Sequence, residues 1–343
     1  MRPLALDIVV TRGDAVESRH RVHGVAVAID GTLVGQAGDP WLITWWRSCA
    51  KFFQVMPLLE SGRFDDLGWG AEELALACAS HGGEPEHLAV VSRMLRDQGL
   101  EEGDLACGPH EPLSARGARL AREHGDRLTR LHNNCSGKHA AMLAAATAHG
   151  AATAGYERAD HAVQRACTRA VGVWTGVPVE KLRGAIDGCG VVVYGLPLVH
   201  MAQAYARLGA AADKGNEIPT RLLAAVRTHP MLFGGTDRFD TVLLEETDGA
   251  VIAKVGAEGV HTVSIPSRGW GLCIKVEDGA QRAQHAAVLV ALQQLAVLPP
   301  DLPPRLAEFL VKAVRNTRGE VVGHVAPADQ APADAAGFRH WVQ

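Results

Sequence analysis

Arg47-Ser48-Cys49-Ala50-Lys51, followed by the apolar residues Phe52, Phe53, Val55 and Met56, sets a serine and a lysine three positions apart. On a helix, positions i and i+3 share a face, so the lysine amine comes within reach of the serine hydroxyl. A serine hydroxyl is a weak nucleophile until a neighbouring base removes its proton. A lysine kept near other cations or out of water can be that base. The competing reading is a helix N-cap serine followed by a solvated lysine. Two common residues at this spacing do not choose between the two readings; the surrounding pattern does.

Upstream lie two strand-like runs, 4–10 and 22–29, the second turning at Asp30-Gly31 into Thr32-Leu33-Val34-Gly35. Asp-Gly between apolar runs is a hairpin signal. Downstream comes a long stretch rich in Ala, Leu, Arg and Glu, read as helices. Strand-like pattern returns at Thr241-Val242-Leu243-Leu244, then at 249–256 and 271–276, and a helix is expected over 280–298. The order is strands, Ser-x-x-Lys, helical insertion, strands, helix. It suits an α/β (α+β) fold of the β-lactamase and penicillin-binding-protein kind, an antiparallel sheet flanked by helices, with early and late strands sharing that sheet. The expected organisation is one unit over 1–343, with a sheet lobe from about 1–45 and 240–298, a helical lobe of about 46–239 and a C-terminal tail over 299–343. Within the tail, 326–336 reads as loose, and Phe338-Arg339-His340-Trp341 as able to dock again.

Lys254-Val255-Gly256 stands where such enzymes carry Lys-Thr-Gly on the strand edging the active site. A glycine there would let a substrate approach the backbone closely. The alternative is an edge lysine that blocks strand pairing. Ser48 and Lys51 upstream favour the functional reading.

Bulk properties narrow the classes. With 343 residues, 47% hydrophobic, the chain can bury a substantial core. A net charge of −4 and the lack of a basic block argue against nucleic acid as a partner. No apolar run reaches membrane-spanning length and no signal-peptide pattern opens the chain, so neither a membrane nor export is expected. Seven scattered cysteines, an odd number, suit reduced thiols of the cytoplasm better than a disulfide framework.

The densest second cluster is His132-Asn133-Asn134-Cys135-Ser136-Gly137-Lys138-His139, ahead of an alanine-rich helix. Asn, Ser and Gly before a helix serve as a cap, yet this run holds more chemistry than a cap needs. Ile186-Asp187-Gly188-Cys189-Gly190 adds a cysteine beside a carboxylate in a glycine-flanked turn. Two cysteines and a carboxylate are zinc ligands by type, but their spacing matches none of the usual Cys/His templates. Buried or reactive thiols are the alternative.

Eight motifs then occur in order: Ser18-Arg19-His20-Arg21-Val22-His23, Arg47-Ser48-x-Ala50-Lys51, Cys78-Ala79-Ser80-His81, Cys107-Gly108-Pro109-His110, the 132–139 run, Asp187-Gly188-Cys189, Arg238-Phe239-Asp240-Thr241 and Lys254-Val255-Gly256-Ala257-Glu258-Gly259. Together they resemble the Rhizobium etli-type L-asparaginases, the third structural class of asparaginases, from about the N-terminus to about Gly323. The resemblance implies a β-lactamase-like hydrolase, usually a homodimer, that releases ammonia from L-asparagine. It implies Ser48 as nucleophile, Lys51 as its base, Ser80 as a second hydroxyl and Lys254 as a cation tuning proton transfer. It also implies one Zn²⁺ on Cys135, Lys138 and Cys189, with Asp187 nearby and water as a further ligand. A lysine ligand must bind as the neutral amine, which the metal's charge favours. Arg47, His139 and Arg238 are the candidate cations for a substrate α-carboxylate, and the N–H groups of Ser48 and Ala257 the candidate oxyanion donors.

The chain departs from the family pattern at Trp45-Trp46-Arg47-Ser48-Cys49-Ala50-Lys51-Phe52, where smaller residues and prolines are usual, and at Asp237, where glycine is common. The tryptophans either reshape the pocket or pack beneath it. These departures bear on the substrate: another small amide, a lactam or an ester is the alternative, as is a zinc- or amino-acid-binding protein without turnover.

Overall fold

Side-chain alternation along the strands decides what each face of the main sheet packs against. The computed structural model describes residues 1–330. Six strands run in the order Arg2–Pro3, Leu33–Ala37, Val22–Ala28, Trp270–Val276, Val260–Ile265, Ile252–Val255. The early hairpin therefore pairs directly with the late strands, Val25 opposite Cys273 and Ala26 opposite Leu272. All pairs are antiparallel except the short contact of Arg2–Pro3 with Leu33–Ala37.

Val25, Val27, Val260 and Cys273 share one core with Met201, Ala202 and Tyr205 of the helix Leu198–Asp213. Ala26, Val263, Leu272 and Ile274 share the other with Ala287, Val290 and Ala291 of the helix Gln281–Gln294. Both faces are covered, so the central strands are apolar on both sides. The fit against Leu198–Asp213 is closest at Gly271, where a Cβ would stand 1.9 Å from the Ala202 carbonyl oxygen.

Between the hairpin and the late strands lies the helical insertion. Its helices include Lys51–Glu60, Ala71–Cys78, Pro85–Arg96, Ser136–Ala148 and Ala162–Thr175. A three-stranded sheet runs in the order Ile43–Trp45, Val192–Pro197, Arg183–Ile186. No helix among the described residues is long and apolar enough to cross a membrane.

Two sequence expectations are corrected. Thr241-Val242-Leu243-Leu244 is not a strand but part of the helix Phe239–Glu246, buried over 239–244. A short apolar run carries no periodicity that separates a buried helix from a buried strand. The start of the stretch expected to be loose, 326–327, is strand, within an ordered C-terminal segment. That segment forms the helix Pro304–Leu310 and the hairpin Lys312–Arg315 with Val321–Pro327, whose second strand pairs with Ile8–Arg12 in a four-stranded sheet. Ala326 is 5% exposed within it. The proposed docking of Phe338-Arg339-His340-Trp341 and the stretch 331–336 lie outside the described residues.

Candidate active site

The three-stranded sheet positions the nucleophile turn. Trp45 pairs with Gly195, the Trp46 N–H donates to the Tyr194 carbonyl at 2.8 Å, and a tight turn over Arg47–Ala50 follows. Arg47 adopts φ 52°, left-handed backbone that costs a non-glycine residue about 1–2 kcal/mol. Its Nε donates to Asp187 Oδ1 at 2.7 Å, tying this turn to the turn after the strand Arg183–Ile186. Burial opposes ionisation of Asp187, but Lys138 and Arg47 together hold its carboxyl below the ordinary value. Cys189 is carried on the same turn, so Ser48 and Cys189 face one cavity.

That cavity measures about 240 Å³ and is lined by Ser48, Ser80, Cys135, Asp187, Arg238 and Ala257, among others. Gly256 lies on it as well, but the glycine serves packing rather than substrate approach. A Cβ there would meet Cys49 Sγ and the Val260 carbonyl at 3.0 Å and the Trp46 carbonyl at 3.3 Å. The strand end bearing Lys254 is thus pressed against the turn bearing Ser48, and Cys49 Sγ donates to the Lys254 carbonyl at 3.0 Å.

Two lysines meet at one hydroxyl. Lys51 opens the helix Lys51–Glu60 and Lys254 lies on the strand Ile252–Val255, both completely buried. Lys254 Nζ is 2.7 Å from Ser80 Oγ and donates to the Val255 carbonyl at 2.9 Å. Lys51 Nζ is 3.1 Å from the same Oγ and also donates to the carbonyls of Ala79 and Asn134. The direct contact expected between Lys51 and Ser48 is not among these bonds: Ser80 stands where the two amines converge. Burial, and then the charge of Lys51, push the Lys254 amine down to about 7, while Asp240 resists. Burial lowers the Lys51 amine too. An environment that disfavours ammonium leaves a neutral amine available near neutral pH, which is what a base requires.

Asp240, in a motif the sequence had singled out but assigned to no role, anchors this strand. Its Oδ2 accepts the Val255 N–H at 2.8 Å and its Oδ1 lies 2.9 Å from His261 Nε2. Burial works against its charge, but His261 and Lys254 prevail and hold the carboxyl at about 2. His81 is a second such support. Its Nδ1 accepts the Gly83 N–H at 3.1 Å, so Nε2 carries the proton it donates to Ser136 Oγ at 2.8 Å, and the loop bearing Ser80 is fixed. The signal for Asp240 was present in the sequence. His81 also stood in a quoted motif, but its partner Ser136, 55 residues away, was not legible there.

Cys135, Lys138 and Cys189 also come together. The cluster His132-Asn133-Asn134-Cys135 leads into the helix Ser136–Ala148, whose first turn, not its approach, carries Ser136, Gly137, Lys138 and His139. Lys138 Nζ donates to Cys189 Sγ at 3.1 Å, and Cys189 Sγ is 4.0 Å from Asp187 Oδ2. A hydrogen bond from the Cys135 thiol draws the Cys189 thiol well below its ordinary value against the cost of burial, with Lys138 assisting. Among the described residues, no group of three or more His, Cys, Asp and Glu side chains is placed to hold a metal. The donor set formed here counts two sulfurs and completes itself with an amine. Two thiolates and a neutral amine suit a zinc ion by chemical type.

His139 is not placed as a carboxylate ligand. It is completely buried against Tyr156, its Nδ1 bonded to the Tyr156 hydroxyl, and burial followed by the Lys138 charge pushes it down to about 3, so its ring is neutral. Arg47 faces the cavity but is committed to Asp187. Arg238 faces the cavity with a buried Nη1 that has no partner among the described residues. Of the two guanidinium candidates, Arg47 is paired with Asp187 and Arg238 has no carboxylate partner among the described residues. The tryptophans resolve differently from each other. Trp46 is fully buried, stacked on Phe53 with centroids 5.1 Å apart, and Trp45 is 39% exposed on its strand. Neither lines the cavity.

The L-asparaginase II family model matches residues 8–327. Among solved structures, the chain is similar to a β-lactamase from Mycobacterium bovis (12% identity, 81% of this chain and 94% of that one, TM-score 0.43). It is also similar to a β-lactamase candidate from Bacteroides dorei (10% identity, 84% and 93%, TM-score 0.40). Both scores lie below one half. A comparison with curated protein sequences gives no significant match.

Proposed function

The chain belongs to the L-asparaginase II family, and from that premise we propose that it hydrolyses L-asparagine to L-aspartate and ammonia through an acyl-enzyme on Ser48. The observation that carries this reading is Ser80 Oγ, held between the amines of Lys51 and Lys254 on the wall of the cavity that Ser48 lines. Ser48 Oγ attacks the side-chain amide carbon, and its proton passes to the buried amine pair through Ser80. The N–H groups of Ser48 and Ala257 receive the oxyanion. The Cγ–N bond breaks as the departing nitrogen takes a proton back from the amine pair, releasing ammonia. Water then adds to the ester, giving its proton to the same pair, which passes it to Ser48 Oγ as the ester bond breaks and aspartate is freed. Arg238 offers its unpartnered Nη1 to the α-carboxylate.

Cys135, Lys138 and Cys189 would hold zinc, with Asp187 beside them. When bound, the ion would supply a positive charge on one wall that orients the polar ends of the substrate. A homodimer is proposed on the family resemblance alone. Ammonia release measured with L-asparagine and L-glutamine in parallel, for the wild type and Ser48→Ala, tests the function. Asparagine-dependent ammonia that disappears in the variant is expected. Equal release by a folded Ser48→Ala protein removes the mechanism.

A further inference from the structure

A second cavity, about 660 Å³, adjoins the first and shares Leu113, Arg238, Val255 and Gln281 with it. A cavity of about 240 Å³ lies below the roughly 300–1,000 Å³ typical of drug-sized ligands, whereas the second falls within that range. A free amino acid amide fits the first and leaves the second without a use.

The second cavity has a distinct charge pattern. Asp237 and Asp240 are its carboxylates. Asp240 is committed to Val255 and His261, and Asp237 lies 3.7 Å from Arg305. On the cationic side Arg116 is committed to Glu84 and Glu86, but three other cations are less engaged. Arg119 is 3.6 Å from Glu123 and largely exposed, Lys312 is exposed, and Arg282 donates to the ring of His20. Such a wall attracts anions, and a concave one strengthens the field.

The two cavities meet beside the proton relay. Lys254, which serves the departing nitrogen through Ser80, donates to the Val255 carbonyl, and Val255 lines both cavities. Space for a substituent on that nitrogen adjoins the first cavity at Val255, in the second. We propose that the second cavity holds a carboxylate-bearing leaving group, so that the enzyme also cleaves β-aspartyl dipeptides whose second residue is acidic. The inference rests on the amidohydrolase reading above and extends its substrate class. The step is the same: Ser48 Oγ bonds to the β-carbonyl carbon, the C–N bond breaks, the amine leaves with a proton from the Lys–Ser80–Lys group, and water frees aspartate.

The test compares kcat/KM for β-aspartylglutamate, β-aspartyllysine and L-asparagine in the wild type, in Arg119→Glu/Lys312→Glu and in Lys312→Arg. Both positions are exposed, and circular dichroism verifies folding of each variant. The wild type is expected to prefer the glutamate dipeptide over the lysine dipeptide by about ten-fold, the equivalent of 1.4 kcal/mol. The double variant should abolish or reverse that ratio, and Lys312→Arg should keep it. Asparagine hydrolysis with no dipeptide cleavage overturns the inference and leaves the asparaginase reading standing. An unchanged ratio in the double variant overturns the role of the cavity. Cleavage of the acidic dipeptide without ammonia from asparagine supports the inference and replaces the substrate of the proposed function. No Ser48-dependent hydrolysis of any of the three overturns both.

Discussion

Lys254 Nζ lies 2.7 Å from Ser80 Oγ, and the same oxygen is 3.1 Å from Lys51 Nζ. A hydroxyl has one proton to give and two lone pairs to accept with. It can therefore donate to a neutral amine while accepting from a charged one, which makes Ser80 a proton exchanger between the lysines. Two ammonium ions at this hydroxyl would repel in a buried site, and that repulsion adds to the burial that lowers Lys254.

The pH profile should show this directly. With Lys254 at about 7, kcat/KM should rise through an acid limb near pH 7 as the amine loses its proton. The linked effect on stability has a definite sign. The folded value lies below the unfolded lysine value of about 10.4, so between the two the unfolded chain binds more protons and stability grows with pH. Lys254→Met should lower kcat by about 10²–10⁴, as loss of a general base does. It should also raise the melting temperature at pH 6, where the wild type buries the charge. A melting temperature lower at pH 6 than the wild type's would contradict the assignment.

Asp240 positions Lys254 through the Val255 N–H. Asp240→Asn keeps the shape but removes the charge that raises the Lys254 amine. The acid limb should move to lower pH, with kcat reduced about ten- to a hundred-fold as the strand end loosens, or roughly 1.4–2.7 kcal/mol. A lower kcat with an unmoved limb would assign Asp240 to structure alone.

Cys135→Ala and Cys189→Ala should each lower the zinc content of protein purified from zinc-supplemented growth, read by elemental analysis. Lys138→Met should do the same by removing the amine donor. Unchanged stoichiometry in all three refutes the metal assignment.

Gly271→Ala tests the packing that holds the sheet to its helix. The added Cβ would sit 1.9 Å from the Ala202 carbonyl oxygen, which is backbone and cannot swing aside. We expect a loss of about 3 kcal/mol in urea unfolding, the upper part of the range for overpacking. A change below about 0.5 kcal/mol, typical of surface substitutions, would show that the helix is free to move away.

Local chemistry made the nucleophile motif, the hairpin at Asp30-Gly31, two of the three late strands and the closing helix legible, because turn residues, short apolar runs and helical spacing act over a few positions, whereas Val260–Ile265 went unread. The family motifs also pointed to Ser80, Lys254, Cys135, Lys138 and Cys189, and the structure sets Ser80, Cys135 and Cys189 on Ser48's cavity, with Lys254 bonded to Ser80 and Lys138 to Cys189. What sequence could not supply was whatever depends on partners far along the chain. The run at 241–244 is helical because its whole surface is enclosed, which periodicity does not record. His139 is neutral because Tyr156 and burial surround it, and Arg238 is free because no carboxylate reaches its Nη1. Charge state and contact are properties of the enclosing dielectric, and only the folded chain creates it. Residue types and their order thus determined which chemistry is present, and tertiary packing decided that Ser80, rather than Ser48, receives both lysines.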